Sequence, residues 1–84
     1  MKQLMLFGTL GCHLCEDAES IVKDCLPGRF EQIVELIDIA EQEQWQERYA
    51  IRIPVLFHPE TQQELGWPFD QATVAAFISV LGID

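Results

Sequence analysis

A chain of 84 residues, 49% of them hydrophobic, has material for one core and is expected to form a single domain over residues 1-84, burying roughly 60% of its unfolded surface. Fourteen acidic against five basic side chains give a formal charge of -9, which argues against a nucleic-acid groove or an anionic membrane surface as partner. The apolar runs fall far short of the ~20 residues that cross a bilayer, and the N-terminus has no secretory pattern, so a soluble, cytoplasmic monomer is expected.

The first element is Leu4 to Phe7, four consecutive large apolar residues, which reads as a strand over 3-8 buried on both faces. Gly8-Thr9-Leu10-Gly11 interrupts it. From Cys12 the apolar period lengthens. Leu14, Ala18, Ile21, Val22 and Cys25 recur at helical spacing, predicting a helix over about 13-26 that ends at Pro27-Gly28. Residues 30-38, FEQIVELID, are rich in strand formers, with Asp38 placed to start another helix. Residues 40-49 read as that helix, with Trp45 and Tyr49 one turn apart on its inward face. A second apolar strand runs from Ile53 to Phe57 across Pro54. His58-Pro59-Glu60-Thr61 is a turn into a short polar strand, Gln62 to Leu65. Asp70 caps a last helix with Val74, Phe77, Ile78 and Leu81 as its apolar stripe, and Gly82 stops it. The order βαβαββα predicts an α/β domain of four strands in a mixed sheet flanked by three helices, its βαβ unit crossing over right-handed.

Cys12-His13-Leu14-Cys15 carries the chemistry. Three cysteines without a secretory signal do not suggest a disulfide scaffold. Thiol exchange proceeds through the thiolate, and a helix N-terminus offers free N-H groups and a positive dipole end to the sulfur of Cys12. Cys15, one turn on, is placed to resolve a mixed disulfide. A structural staple is one rival reading, weakened because so small a ring gains only roughly 2 kcal/mol before strain. A metal or iron-sulfur carrier is another, using Cys12, Cys15 and His13 or His58, although one CxxC supplies only two good ligands. A non-catalytic interaction domain on the same fold is the third. His13 is a candidate for tuning Cys12, with Glu16, Asp17 and Glu19 acting in the opposite sense. Cys25 is expected to be a small core residue, with a regulatory thiol as the competing reading.

Taken together, Cys12-His13-Leu14-Cys15 after strand one, Ile53-Pro54 opening strand three and Gly66-Trp67-Pro68-Phe69-Asp70 before the last helix resemble a small glutaredoxin of the thioredoxin superfamily. The resemblance spans the chain and implies the thioredoxin-like fold and a thiol-disulfide oxidoreductase. Cys12 would be the nucleophile and Cys15 the resolving thiol, acting on protein disulfides or glutathione mixed disulfides. It implies a cis Pro54 opposite the cysteines, with Ile53 offering backbone hydrogen bonds to substrate. It also implies Gly66 and Asp70 near glutathione as co-substrate, and a separate reductant, with no bound cofactor or metal. The chain departs from the family where Trp67-Pro68 replace a second glycine. Gly8-Thr9-Leu10-Gly11 also lacks the basic residue that many glutaredoxins use for a glutathione carboxylate. Arg48 and Arg52 are the substitutes expected, with ion pairing to Glu47 or Glu43 as the competing role.

Overall fold

A computed structural model describes residues 2-9, 11-41, 43-44, 49 and 52-83 of the chain. Strand β1 (Leu4-Gly8) leads into helix α1 (His13-Cys25). A helical turn α2 (Phe30-Ile33) precedes strand β2 (Val34-Asp38), which runs into a short 3-10 turn (Ile39-Glu41). Strands β3 (Val55-His58) and β4 (Gln63-Gly66) form a hairpin, and helix α3 (Gln71-Leu81) completes the fold. The sheet order is β2-β1-β3-β4, with β1 parallel to β2 and antiparallel to β3, and β3 antiparallel to β4.

Successive side chains of β1 point to opposite faces, so a run of four apolar residues must be covered twice. On one face Leu4 and Leu6 join Ala18 and Val22 of α1 and Val74 and Ile78 of α3. On the other, Phe7 joins Val55, Phe57, Ile37, Ile39 and Tyr49. The Phe7 and Tyr49 rings stack, with centroids 4.6 Å apart. This is the mixed four-stranded α/β architecture expected from the sequence, with its helices on known faces.

The structure departs from the sequence reading at several points. Residues 30-33 are helical rather than strand, because Phe30 and Ile33, three apart, both enter the same core cluster, which one helical turn permits and an alternating strand does not. The ladder of β3 begins at Val55 instead of Ile53, since proline has no N-H to give. Leu14, assigned to the apolar stripe of α1, is 48% exposed. Of the helix expected over 40-49, residues 42 and 45-48, Trp45 among them, lie outside the described residues, while Tyr49 is fully buried.

The caps follow the sequence. Asp70 Oδ1 accepts both the N-H and the hydroxyl of Thr73, each at 2.8 Å. Gly82 adopts φ 74°, a left-handed conformation that only glycine takes freely, and there it closes α3 while turning Ile83 back into the core. Truncating the ring that joins β1 to Tyr49, Phe7→Ala, is expected to lower unfolding free energy by about 3 to 5 kcal/mol. Urea denaturation measures this, and a loss below about 1 kcal/mol would contradict the packing described.

Candidate active site

The strand register gathers one end of the sheet. Gly8 pairs with Asp38, Phe7 with Val55, and Val55 with Gly66, so Gly8 and Pro54 continue neighbouring strands at the same end. The chain leaving Gly8 enters α1 there, with Cys12 as the capping residue in extended conformation, φ -91° and ψ 109°. Serine or aspartate would usually cap with oxygen; here Cys12 Sγ accepts the N-H of Cys15 at 3.2 Å. The cap therefore brings the sulfur onto the positive end of the helix.

Both sulfurs are free thiols and half-buried, but their surroundings differ. Burial, a hydrogen bond to Cys12 and the charge of Cys12 push the Cys15 thiol up to about 11, against the pull of a backbone hydrogen bond at Thr9. Cys15 thus holds its proton more firmly than an ordinary thiol. Its position depends on Gly8, where a Cβ would come within 3.1 Å of both Cβ and Sγ of Cys15. From the sequence Gly8 reads only as a strand terminator. The close approach depends on how α1 folds back over β1, which no local pattern reveals.

A cleft of about 350 Å³ opens beside Cys15 between α1 and the β1-β2 end, walled by Gly8, Leu36, Glu16, Glu19 and Asp38. Leu36 is 53% exposed. Asp38, expected to start a helix, does so in the 3-10 turn by accepting the Ala40 N-H at 2.9 Å, and it also becomes part of this wall.

Around a strand-ending glycine and a cysteine-capped helix, the Glutaredoxin-like domain (DUF836) matches residues 3-79. The chain belongs to the glutaredoxin-like family. It is similar to the X-ray structure of protein XcR50 from X. campestris, at 28% identity over 92% of this chain and 96% of that one, with a TM-score of 0.78. It is also similar to the solution structure of protein Ne2328 from Nitrosomonas europaea, at 29% identity over 90% and 89% of the two chains, with a TM-score of 0.64. No curated protein matches.

Within this glutaredoxin-like fold the remaining expected residues fall as follows. The Ile53-Pro54 peptide is cis, as the resemblance implied, and so is Trp67-Pro68. Ile53 donates its N-H to the Tyr49 carbonyl at 3.1 Å, and Pro54 accepts from the Trp67 N-H at 3.2 Å. Gly66 ends β4 beside Val55. The Asp70 carboxyl is held below its usual range by the Thr73 backbone N-H and hydroxyl. His13 is 95% exposed, with Nδ1 3.5 Å from Glu16 Oε2.

Arg52 pairs with Glu64; of the partners expected from the sequence, Glu47 lies outside the described residues. The Arg52 guanidinium lies 5.4 Å from the Tyr49 ring centroid, and Tyr49 donates its hydroxyl to Glu64 at 2.8 Å. The partner differs because β4 crosses this face, a placement remote in sequence. Arg48 lies outside the described residues. His58 is buried, with Nδ1 2.8 Å from Thr61 Oγ1 across the hairpin turn. Cys25 packs half-buried against the core with Sγ 3.4 Å from the Gln71 carbonyl; burial first, and then Asp24, raises its thiol.

The raised Cys15 thiol has a consequence for stability. Folded protein retains the proton at a pH where the unfolded chain, near the ordinary value of 9.0, gives it up. The contribution is intact below that value and is lost as pH rises toward about 11. Reduced protein is therefore expected to lose stability across that window more steeply than the Cys15→Ser variant, measured by urea midpoints at matched pH.

Proposed function

We propose that this glutaredoxin-like protein catalyses thiol-disulfide exchange, with Cys12 as nucleophile and Cys15 as resolving thiol, on disulfides carried by polypeptides. The Cys12 thiolate attacks one sulfur of the substrate disulfide, forming a Cys12-substrate mixed disulfide and expelling the other sulfur as thiolate. Cys15 then gives up its proton and attacks Cys12 Sγ. The second substrate thiolate leaves, and a Cys12-Cys15 disulfide remains. The substrate gains two electrons, the dithiol loses them, and an external thiol or dithiol donor returns the pair to its reduced form. The observation that carries this reading is the unequal pair itself: Cys12 Sγ sits at the helix cap taking the Cys15 N-H, while half-buried Cys15 sits against Gly8 with its thiol raised to about 11.

Around the pair, the Ile53 carbonyl is the backbone group offered to an extended substrate chain, since the Ile53 N-H is already engaged. The exposed Leu14 between the two cysteines supplies apolar contact. His13 stands at the rim.

Glutathione fits this end of the sheet poorly. The Trp67 N-H is committed to Pro54, Pro68 has no N-H, and Asp70 is occupied by Thr73. Among the described residues no lysine or arginine walls the cleft. The metal-carrier reading has less support, because among the described residues no three His, Cys, Asp or Glu side chains are grouped closely enough to hold a metal ion. Among those residues, too, no helix is long and apolar enough to cross a membrane, and we take the site of action to be the cytoplasm.

The test combines mass spectrometry with two variants. Exposed to a peptide disulfide, reduced wild type is expected to lose the mass of two hydrogens, with the bond mapped to Cys12 and Cys15. Cys15→Ser should accumulate a peptide adduct at Cys12, and Cys12→Ser should lose essentially all activity. Equal reactivity of Cys12→Ser and wild type overturns the assignment. Zinc or iron that co-purifies and is lost on mutating either cysteine favours the carrier reading.

A further inference from the structure

The cleft beside Cys15 is acidic. Glu16 and Glu19 project from α1, and Asp38 ends the paired edge strand β2, so three carboxylates share with Cys15 the lining of a space of about 350 Å³, one helical turn from Cys12 at the cap. Their nearest partners leave this charge largely in place. His13 meets Glu16 at full exposure, and Glu19 is shared with Lys23 at 3.5 Å. Lys23 and Lys2 themselves line a second cleft of about 280 Å³ that adjoins the first through Glu19 and Leu36. The whole chain carries -9. A concave, partly apolar wall focuses such a field, so it acts on an approaching substrate before contact. Leu36 on the cleft wall and Leu14, which lies between the two cysteines in sequence, are both about half exposed, surface that a small ion does not cover and a polypeptide does.

We infer that this dithiol selects disulfides set in positively charged polypeptide, with Glu16, Glu19 and Asp38 as the specificity-determining side chains. The inference rests on the exchange reading and narrows its substrate class. Lysine or arginine near the target disulfide meets the three carboxylates while the adjoining chain lies over Leu14 and Leu36. Glutathione, with two carboxylates against one ammonium in each half, is disfavoured by the same field. Charge selection of this kind acts mainly on the rate of encounter, and so it is sensitive to salt.

The experiment measures second-order rates of the reduced full chain with four disulfides. Two are a cystine peptide flanked by lysines and the same peptide flanked by glutamates. The others are cystamine, a small dication, and dithiodipropionate, a small dianion. Each rate is divided by that of 2-mercaptoethanol to remove intrinsic reactivity. At low ionic strength the lysine peptide is expected to react at least about tenfold faster than the glutamate peptide, and faster than cystamine. The ratio should shrink as salt approaches 1 M, where the screening length falls to about 3 Å. Glu16→Gln combined with Glu19→Gln and Asp38→Asn should remove most of the discrimination. Glu60→Gln, in the hairpin turn at the opposite end of the sheet, should leave it unchanged. If the triple variant fails to fold, the salt dependence of the wild-type ratio decides between charge selection and its absence. Equal or reversed rates for the two peptides overturn the inference while leaving the exchange reading intact. A preference for cystamine over the lysine peptide overturns the polypeptide part. Reaction with none of the four overturns the exchange reading and this inference together.

Discussion

Burying both faces of one five-residue strand is the constraint from which the rest of the molecule follows. Strand β1 lies between β2 and β3, and Leu4 and Leu6 on one face and Phe7 on the other are almost entirely removed from water. A strand in that position needs a layer on each side, so α1 and α3 cover one face and the segment carrying Ile39 and Tyr49 covers the other. Each large side chain buried this way contributes about 1.5 to 3 kcal/mol. The central strand is therefore the most rigid base available for a reactive group. The dithiol follows directly from its end.

The chemistry arises where that rigid strand stops. Gly8 has no side chain, so α1 can fold back until Cys15 touches the strand end; Cys12 caps the helix in the same turn. Identical side chains three residues apart thereby acquire different environments. Cys15 is desolvated and keeps its proton, while the sulfur of Cys12 faces backbone N-H groups at the positive end of the helix. The exchange reading proposed above draws on this difference between the two sulfurs.

Charge and fold are separable here. Among the described residues the ion pairs, such as Lys23 with Glu19 and Arg52 with Glu64, lie toward the surface, where such pairs contribute little to stability. Excess acid on the surface keeps the chain soluble at a small cost in self-repulsion. Where it lines the cleft beside Cys15 it also sorts approaching molecules by charge. The network of Arg52, Glu64 and Tyr49, by contrast, ties the segment before Pro54 to β4 and, through the stacked Phe7 ring, to the central strand. Arg52, expected either to meet substrate or to form an ion pair, is ion-paired with Glu64.

By itself the sequence determined the strand-helix order, the two-faced burial of Leu4 to Phe7, the caps at Asp70 and Gly82 and the CxxC at a helix start. Each of these is written in residues that are neighbours along the chain or one helical turn apart. Tertiary structure alone decided the helical turn at Phe30-Ile33, where core contacts overrode strand propensity. It decided the contact between Gly8 and Cys15, the pairing of Arg52 with Glu64, the exposure of Leu14 and the convergence of Glu16, Glu19 and Asp38 on one cleft. Those features join residues from different elements, and their spacing exists only once β1 is in place and the other elements have packed around it.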